Sequence, residues 1–173
     1  NKTKNGLKIA SIINNGEFAS NELIYEILDV HLNKIKNHKN IIFDGYPRNL
    51  KQANEFEILL SKHNLNLDKI FFLNVERKVI KNRISGRFIC SKCNKIYNIN
   101  IIDDDYKNHK CGVSFFIKRK DDNEETILKR FDLYMDDTAP LINHYKAHHG
   151  FCEIDGNKDI PLINEQIRGF LNA

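Results

Sequence analysis

Residues 40–48 read N-I-I-F-D-G-Y-P-R, a short apolar run that stops at an Asp-Gly turn. An apolar run bounded by turn residues predicts a buried parallel strand. Residues 69–75 (K-I-F-F-L-N-V) and 151–154 (F-C-E-I) predict two more strands. Because helical patterns separate these strands, the chain is predicted to be α/β, a doubly wound parallel sheet with helices on both faces.

Caps and apolar spacing predict the helices. Ser20 begins one that runs to about residue 33, and Asn49 begins another with Gln52 at its capping-box position. Further helices are expected over residues 4–13, 76–85, 123–147 (divided by Pro140) and 160–171. Residues 86–118, rich in Cys, Asn, Asp, Lys and aromatics, break the alternation. They predict an inserted subdomain of short strands and turns, between core segments 1–85 and 119–173.

Composition narrows the function classes. The 173 residues carry 27 Lys and Arg against 23 Asp and Glu, a net charge of +4, and 41% are hydrophobic. The chain is too apolar for disorder, and its small positive surplus favours anionic ligands without indicating a nucleic-acid partner. No apolar run is long enough to span a membrane. The four unevenly spaced cysteines indicate a reducing compartment, the cytoplasm. Residues 1–7 carry no leader pattern, but the chain begins with Asn1 rather than Met. We therefore expect its N-terminus to be missing, so a mitochondrial location stays open.

Four ordered motifs resemble those of adenylate kinases. Residues 43–53 resemble D-G-F/Y-P-R-x-x-x-Q-A, residues 83–87 the R-x-x-G-R that opens the family's lid, and residues 119–125 the R-x-D-D-x-E-E that closes it. Residues 155–158 resemble the loop that contacts the donor base, and Tyr134, residues 138–142 and Tyr145 match the family's continuation. The resemblance implies a P-loop NTPase-like nucleoside monophosphate kinase with a long lid over residues 86–118. Such an enzyme moves the terminal phosphoryl group of ATP to AMP.

The arginines of these motifs suit that chemistry. Phosphoryl transfer depends on positioning and on cations around the migrating group. The planar guanidinium forms paired hydrogen bonds to phosphate and keeps its charge. Any one of these arginines alone could equally be a solvated surface charge.

The resemblance implies a role for each matched residue. AMP would be bound by the phosphate contact Arg48, by Tyr46 and Gln52 beside the adenine, and by Gly45, Glu17, Phe18 and Ala19. The transferred phosphoryl group would be surrounded by Arg87, Arg119 and Arg130. The donor ATP would contact Arg83, Arg87 and Lys158. Asp44 would hold waters of a nucleotide-bound Mg²⁺, and Asp121, with Asp122, would order the arginines or hinge the lid.

Simpler structural roles stand beside three of these assignments. Gln52 fits a capping box, and Asp44 fits a cap of the turn before Gly45. Asp121 and Asp122 fit a charge pair without a direct part in catalysis.

The inserted segment contains a candidate zinc site. Cys90 and Cys93 form a C-x-x-C, the usual half of a tetrahedral site. In the family's zinc-bearing lids a second pair, C-x-x-C/D, completes it; here Cys111 occupies the last position and Asn108 the first. The adjacent His109 is a good zinc ligand, so we expect a structural Cys₃His site of Cys90, Cys93, His109 and Cys111. The alternative is three buried free thiols without a metal. Cys152, in a predicted strand, is expected to be a small buried hydrophobe.

One motif of the family is missing from this sequence. Neither G-x-x-x-x-G-K-S/T nor G-x-G-x-x-G occurs, and no strand pattern precedes the first helical pattern. Loss of a central strand would leave buried backbone groups unpaired. We therefore hypothesise an incomplete copy of a kinase that lacks one opening βα region and does not transfer phosphoryl groups by itself.

Several functional alternatives stay open from the sequence. They are a GTP:AMP phosphotransferase, since few residues here separate ATP from GTP, and a catalytically inactive binding protein of the same family. A zinc-ribbon nucleic-acid binder is disfavoured, because one Cys pair and a mild positive surplus do not indicate one. The expected partners are ATP or GTP and AMP, with no nucleic acid and no membrane, and the protein is expected to be a monomer.

Overall fold

A computed structural model describes residues 20–35, 40–100, 104–119 and 122–172. The predicted helix 4–13, the AMP contacts Glu17, Phe18 and Ala19, and Asp121 lie outside the described residues. The chain divides into two compact units, a first unit of residues 1–70 with 136–150 and a second unit of residues 71–135 with 151–173. The division at residues 86–118 that the sequence suggested stays a prediction.

In chain order the elements are α1 (Asn21–Lys34), α2 (Leu50–Lys62), β1 (Ile70–Asn74), α3 (Arg77–Ser85), β2 (Arg87–Cys90), β3 (Ile96–Asn98), α4 (Asp104–Lys107), a 3₁₀ turn (Val113–Phe115), β4 (Phe116–Ile117), α5 (Glu124–Leu133), a π-helical turn (Tyr134–Thr138), α6 (Pro140–Tyr145), β5 (Phe151–Asp155) and α7 (Ile160–Asn172). Helices and a parallel strand pair together confirm the α/β class. None of the helices in the described ranges is long and apolar enough to cross a membrane.

In the first unit, side-chain caps fix the helix boundaries. Ser20 Oγ accepts a hydrogen bond from Leu23 N at 3.3 Å, and Asn49 Oδ1 accepts one from Gln52 N at 2.8 Å. At the other end of α2, Asn64 adopts a positive φ of 55°, and Leu65 N donates to Leu60 O at 2.9 Å. This left-handed residue ends the helix in a Schellman-type turn.

The core of the first unit joins α1 to α2. Its buried side chains are Leu32, Phe56, Leu59 and Leu60. Two aromatic rings from the segment before α2, Phe43 and Tyr46, meet Phe56 edge-on, at centroid distances of 4.7 and 5.3 Å. Apolar burial of this kind is the main source of stability, so the segment before α2 is positioned by core packing.

The strand predicted over residues 40–43 is wrong. These residues are irregular, and Ile42 is 92% exposed, whereas Ile41 and Phe43 are partly buried against the core. An apolar run predicts burial, but a strand also needs a neighbour whose backbone can pair with it. The described part of the first unit offers residues 40–43 no such partner.

In the second unit, β1 and β5 form a two-stranded sheet. Ile70 N donates to Gly150 O just before β5, and Gly156 N donates to Asn74 O at the end of β1, each at 2.9 Å. Both bonds pair the same ends of the strands, so the strands run parallel, as predicted. Cys152 is 6% exposed and Ile154 fully buried, which confirms Cys152 as a small core residue.

The predicted short strands of the inserted segment are confirmed. β2 pairs antiparallel with β3 and with β4. The register sets Phe88 opposite Tyr97 and Cys90 opposite Phe116. The helical stretch that follows is divided as predicted, because α6 begins with Pro140 at its first turn.

Candidate functional site

The turn before α2 holds Arg48, the predicted phosphate contact. Arg48 Nε donates to Gly45 O at 2.8 Å, which Gly45 permits by a positive φ of 68°. Among the described residues no acceptor takes a hydrogen bond from the terminal Nη atoms of Arg48, and the residue is exposed. The stem of the arginine is therefore held while its fork stays open to an anion.

Three further hydrogen bonds hold this turn, two of them to the backbone of Arg48 and one to the side chain of Gln52. Arg48 N donates to Gln52 Oε1, and Arg48 O accepts from Thr138 Oγ1, both at 2.8 Å. Gln52 Nε2 donates to Asn21 Oδ1 at 2.8 Å, and Gln52 is only 7% exposed. The capping-box prediction needs correction in detail, because Gln52 bonds to Arg48 N rather than to the amide of the N-cap Asn49. Its adenine contact stays a prediction beside this structural role.

Tyr46 and Asp44, which flank Gly45, differ in environment. Burial, and then the charge of Glu55, raises the pKa of Tyr46 to about 12, so the phenol is neutral at physiological pH. Its hydroxyl donates to Gln52 O at 3.5 Å. Asp44 is exposed, and its place at a solvent-facing turn leaves a carboxylate of the type that Mg²⁺ prefers.

In the second unit, Arg87 forms an ion pair with Asp122. Arg87 Nε donates to Asp122 Oδ2 at 2.8 Å, and Nη2 donates to Oδ1 at 2.5 Å. The Asp122 side chain is 1% exposed and that of Arg87 is 25% exposed. This fork-to-carboxylate geometry fits both roles suggested for Asp122 from the sequence, the ordering of an arginine and a charge pair without a direct part in catalysis. Arg119 follows β4 in the chain and Arg130 lies on α5, and both residues are exposed. Their convergence with Arg87 on a phosphoryl group stays a prediction.

Two of the residues assigned to the donor nucleotide, Arg83 and Lys158, meet through the backbone of Lys158. Arg83 donates to Gly156 O at 2.8 Å and to Lys158 O at 2.9 Å. The loop itself lies close to β1, since a Cβ on Gly156 would lie 2.4 Å from Val75 Cγ2. Arg83 therefore orders the 156–158 loop, and its contact with a base stays a prediction.

All four predicted metal ligands come together. One ligand atom from each of Cys90, Cys93, His109 and Cys111 lies within 4.8 Å of every other. Tetrahedral zinc, with Zn–S distances of about 2.3 Å and Zn–N distances of about 2.0 Å, requires ligand atoms about 3.5–4 Å apart. Cys93 Sγ and His109 Nε2 are already 3.8 Å apart. The cluster therefore fits a four-coordinate metal, and the thiols are not dispersed core residues.

The tight turn after β2 places the first two thiols. Cys90 N donates to Lys95 O at 2.9 Å, and Asn94 N donates back to Cys90 O at 2.8 Å, with Asn94 at a φ of 59°. Burial raises the pKa of the Cys90 thiol, but hydrogen bonds from His109 and the backbone around Cys93 outweigh it and lower this pKa to about 6. Cys90 is thus poised as a thiolate, the form that ligates metals.

Two contributors were not found from the sequence. Tyr97 Oη lies 2.8 Å from His109 Nδ1, and Thr138 holds the carbonyl of Arg48. The local sequence carries no signal of these contacts, because Tyr97 bonds to a residue 12 positions away and Thr138 to a residue 90 positions away.

Known proteins resemble this chain along most of its length. The family model described as "Adenylate kinase" matches residues 1–150. The adenylate kinase of Pelagibacter ubique is 41% identical over 172 residues, covering 99% of this chain and 81% of that protein. That of Erythrobacter litoralis is 33% identical over 180 residues (98% and 80%), and that of Rickettsia bellii is 37% identical over 171 residues (98% and 79%).

Proposed function

The chain belongs to the adenylate kinase family, and we propose that the full polypeptide that carries it transfers the terminal phosphoryl group of ATP to AMP with the residues assigned above. The family makes it a phosphotransferase. The observation that supports the residue assignment is the Arg48 turn. Three hydrogen bonds hold the stem and backbone of Arg48, a fourth holds Gln52, and the guanidinium fork faces solvent.

Arg48 binds the phosphate of AMP in this proposal. A guanidinium held in place loses little conformational freedom when it forms paired hydrogen bonds to phosphate oxygens. Tyr46, Gly45 and Gln52 line the same turn, and the 17–19 segment contributes the rest of the acceptor site.

The arginines of the second unit act on the transferred phosphoryl group. Arg87, Arg119 and Arg130 stabilise the negative charge that spreads over its oxygens in the transition state. Asp122 orients Arg87, which spares the enzyme the cost of ordering that side chain during reaction. Arg83 and Lys158 hold the loop beside the donor base. Asp44 is the residue proposed to hold waters of Mg²⁺, which supplies charge neutralisation on the donor phosphates.

We propose that the Cys₃His cluster binds zinc as a structural ion. Three thiolates and one imidazole are the donors zinc prefers, and four protein ligands leave no open position for catalysis. The ion would fasten the turn after β2 to residues 109–111 and stabilise the inserted sheet.

Donor choice, assembly and compartment complete the proposal. ATP is the donor, with GTP as the second candidate, and the enzyme is a monomer. A cytoplasmic location fits the free state of Cys90, Cys93, Cys111 and Cys152, because oxidising compartments favour disulfides.

A kinetic experiment tests the acceptor assignment. The full natural polypeptide is supplied with ATP or GTP plus AMP, and ADP formation is measured. We expect AMP-dependent turnover, and Arg48→Ala is expected to weaken AMP binding about 100-fold, since two charge-assisted hydrogen bonds contribute about 3 kcal/mol. The control Arg168→Ala removes an exposed arginine of α7 and leaves the KM for AMP unchanged. Turnover without AMP, or an unchanged KM for AMP in Arg48→Ala, contradicts the proposal.

A further inference from the structure

Tyr97 contacts the metal cluster through a ligand without contributing a ligand atom itself. Its hydroxyl lies 2.8 Å from His109 Nδ1, while His109 Nε2 lies 3.8 Å from Cys93 Sγ. The two ring nitrogens of His109 therefore face different partners, the phenol on one side and the thiols on the other. From this geometry we infer that Tyr97 is a positioning residue, which selects Nε2 of His109 as the fourth ligand. The inference rests on the metal centre proposed above.

The tautomer of the imidazole explains the effect. A neutral imidazole carries one proton, and a metal binds the nitrogen that lacks it. When Nδ1–H donates to Tyr97 Oη, the Nε2 lone pair points at the thiols. Groups that bond the second nitrogen of a ligating histidine fix its orientation and raise its basicity.

The surrounding packing holds the phenol in place. Tyr97 is 7% exposed, and its ring stacks on Phe116 at a centroid distance of 4.9 Å. Phe116 also packs against the His109 ring at 5.1 Å. Because Phe116 packs against both rings and restricts their rotation, the Tyr97 hydroxyl and the His109 imidazole meet with little loss of side-chain entropy.

The sheet register places Tyr97 beside the thiols. Tyr97 lies opposite Phe88 on the β2–β3 hairpin, whose turn contains Cys93 and whose first strand ends at Cys90. A single hairpin thus supplies two ligands and the residue that orients a third. The proposed fourth ligand, His109, lies one residue after Asn108, which occupies the first position of the family's second pair. The contact between Tyr97 and His109 is therefore argued from this chain's own residues.

Metal titration tests the inference directly. Co²⁺ is titrated into the reduced full chain, and its visible absorption and a chelator competition give the affinity. We expect Tyr97→Phe, which keeps the ring, to lower Co²⁺ affinity about 10-fold or more. Its bound spectrum should remain that of three sulfurs and one nitrogen, whereas His109→Ala should change the spectrum as well. The matched control Tyr106→Phe deletes another hydroxyl of the same aromatic cluster and should bind Co²⁺ like the wild type.

A second measurement does not depend on how a variant folds. Long-range ¹⁵N–¹H correlation of the zinc-loaded wild type identifies which nitrogen of His109 bears the metal. Nε2 coordination with a protonated Nδ1 supports the inference, and Nδ1 coordination overturns it. Equal Co²⁺ affinity in Tyr97→Phe and wild type overturns it too, while the metal centre stands. A wild type that binds neither ion overturns both.

Discussion

The Cys₃His cluster of the second unit and the Arg48 turn of the first both place charged or polar groups at tight turns, but they differ in what completes them. In the cluster, four donors face each other within 4.8 Å. In the turn, the protein supplies partners for the stem and backbone of Arg48 and leaves its fork open. In the proposal above, one small ion completes the cluster, whereas a substrate completes the turn. Changes in the first should therefore affect stability, and changes in the second should affect binding.

The largest effect is expected at Cys90. Cys90→Ser removes a fully buried ligand, and zinc affinity should fall more than about 100-fold, because metal binding and folding are coupled at such sites. Metal content after dialysis and hydrogen exchange of β2 and β3 measure this loss. Cys152→Ser, a buried thiol outside the cluster, is the control and should retain the metal. A Cys90→Ser protein with full metal content would contradict the contrast between the two regions.

The next largest effect is expected at Asp122. Asp122→Asn removes the charge of the carboxylate that pairs with Arg87, and the free energy of unfolding should fall by about 2 kcal/mol, the scale of a hydrogen-bonded charge. The partial exposure of Arg87 keeps the loss below that of a fully buried pair. Urea unfolding measures it. Asp132→Asn, an exposed carboxylate on α5, should change stability little; equal losses in the two variants would show that the ion pair contributes nothing specific.

A smaller effect is expected in the Arg48 turn itself. Gly45→Ala must adopt a φ near 68° and places a Cβ 3.4 Å from Arg48 Nη2. The backbone strain costs about 1 kcal/mol, so the unfolding free energy should fall by that amount. AMP affinity should fall as well, because the arginine shifts. Gly169→Ala, inside α7, is the contrasting variant, because its Cβ meets no neighbour within 4 Å. It should raise the unfolding free energy by about 1 kcal/mol through helix propensity and leave AMP affinity unchanged. Unchanged AMP affinity in Gly45→Ala would separate the turn from the acceptor site.

The smallest effect concerns acid stability near this turn. A hydrogen bond from Lys51, on α2, lowers the pKa of Glu22 on α1 from 4.5 to about 2. A depressed carboxyl pKa stabilises the fold above pH 4.5, and that contribution is lost as the pH falls towards 2. Both side chains are exposed, so the effect is small.

Urea midpoints from pH 2 to 7 test this titration. The urea midpoint of the wild type should exceed that of Glu22→Gln at neutral pH, and the difference should shrink below pH 4.5 and be mostly lost at pH 2. Glu26→Gln neutralises another exposed carboxylate of α1 and is the control. A difference between wild type and Glu22→Gln as large at pH 2 as at pH 7 would contradict the assigned titration.

Local signals in the sequence predicted most of the fold. Ser20, Asn49 and Asn123 cap the helices that they were predicted to begin, because an N-cap acts on an amide three residues away. The strand predicted over residues 40–43 was wrong, because strand pairing depends on a distant partner that an apolar run does not specify.

In the candidate site, too, local sequence signals predicted some residues, and contacts between distant residues escaped prediction. The C-x-x-C turn was predicted from its spacing, and its partners His109 and Cys111 from the resemblance to the family's zinc-bearing lids. The structure brings the four ligand atoms together. Tyr97 and Thr138 were missed, since each acts by packing or bonding across the fold. The roles that the resemblance implies for Arg119 and Arg130 stay predictions.

The bond between Arg87 and Asp122 has a consequence for how this lid can vary. The ion pair joins the first residue of β2 to a residue just before α5, and the predicted lid lies between these two points. If that prediction holds, the two ends of the segment keep a fixed separation whatever its length. Insertions that spare the contacts of Asn98 and Asn100 with α3 should then leave the ion pair in place, so an engineer could graft a different cover there.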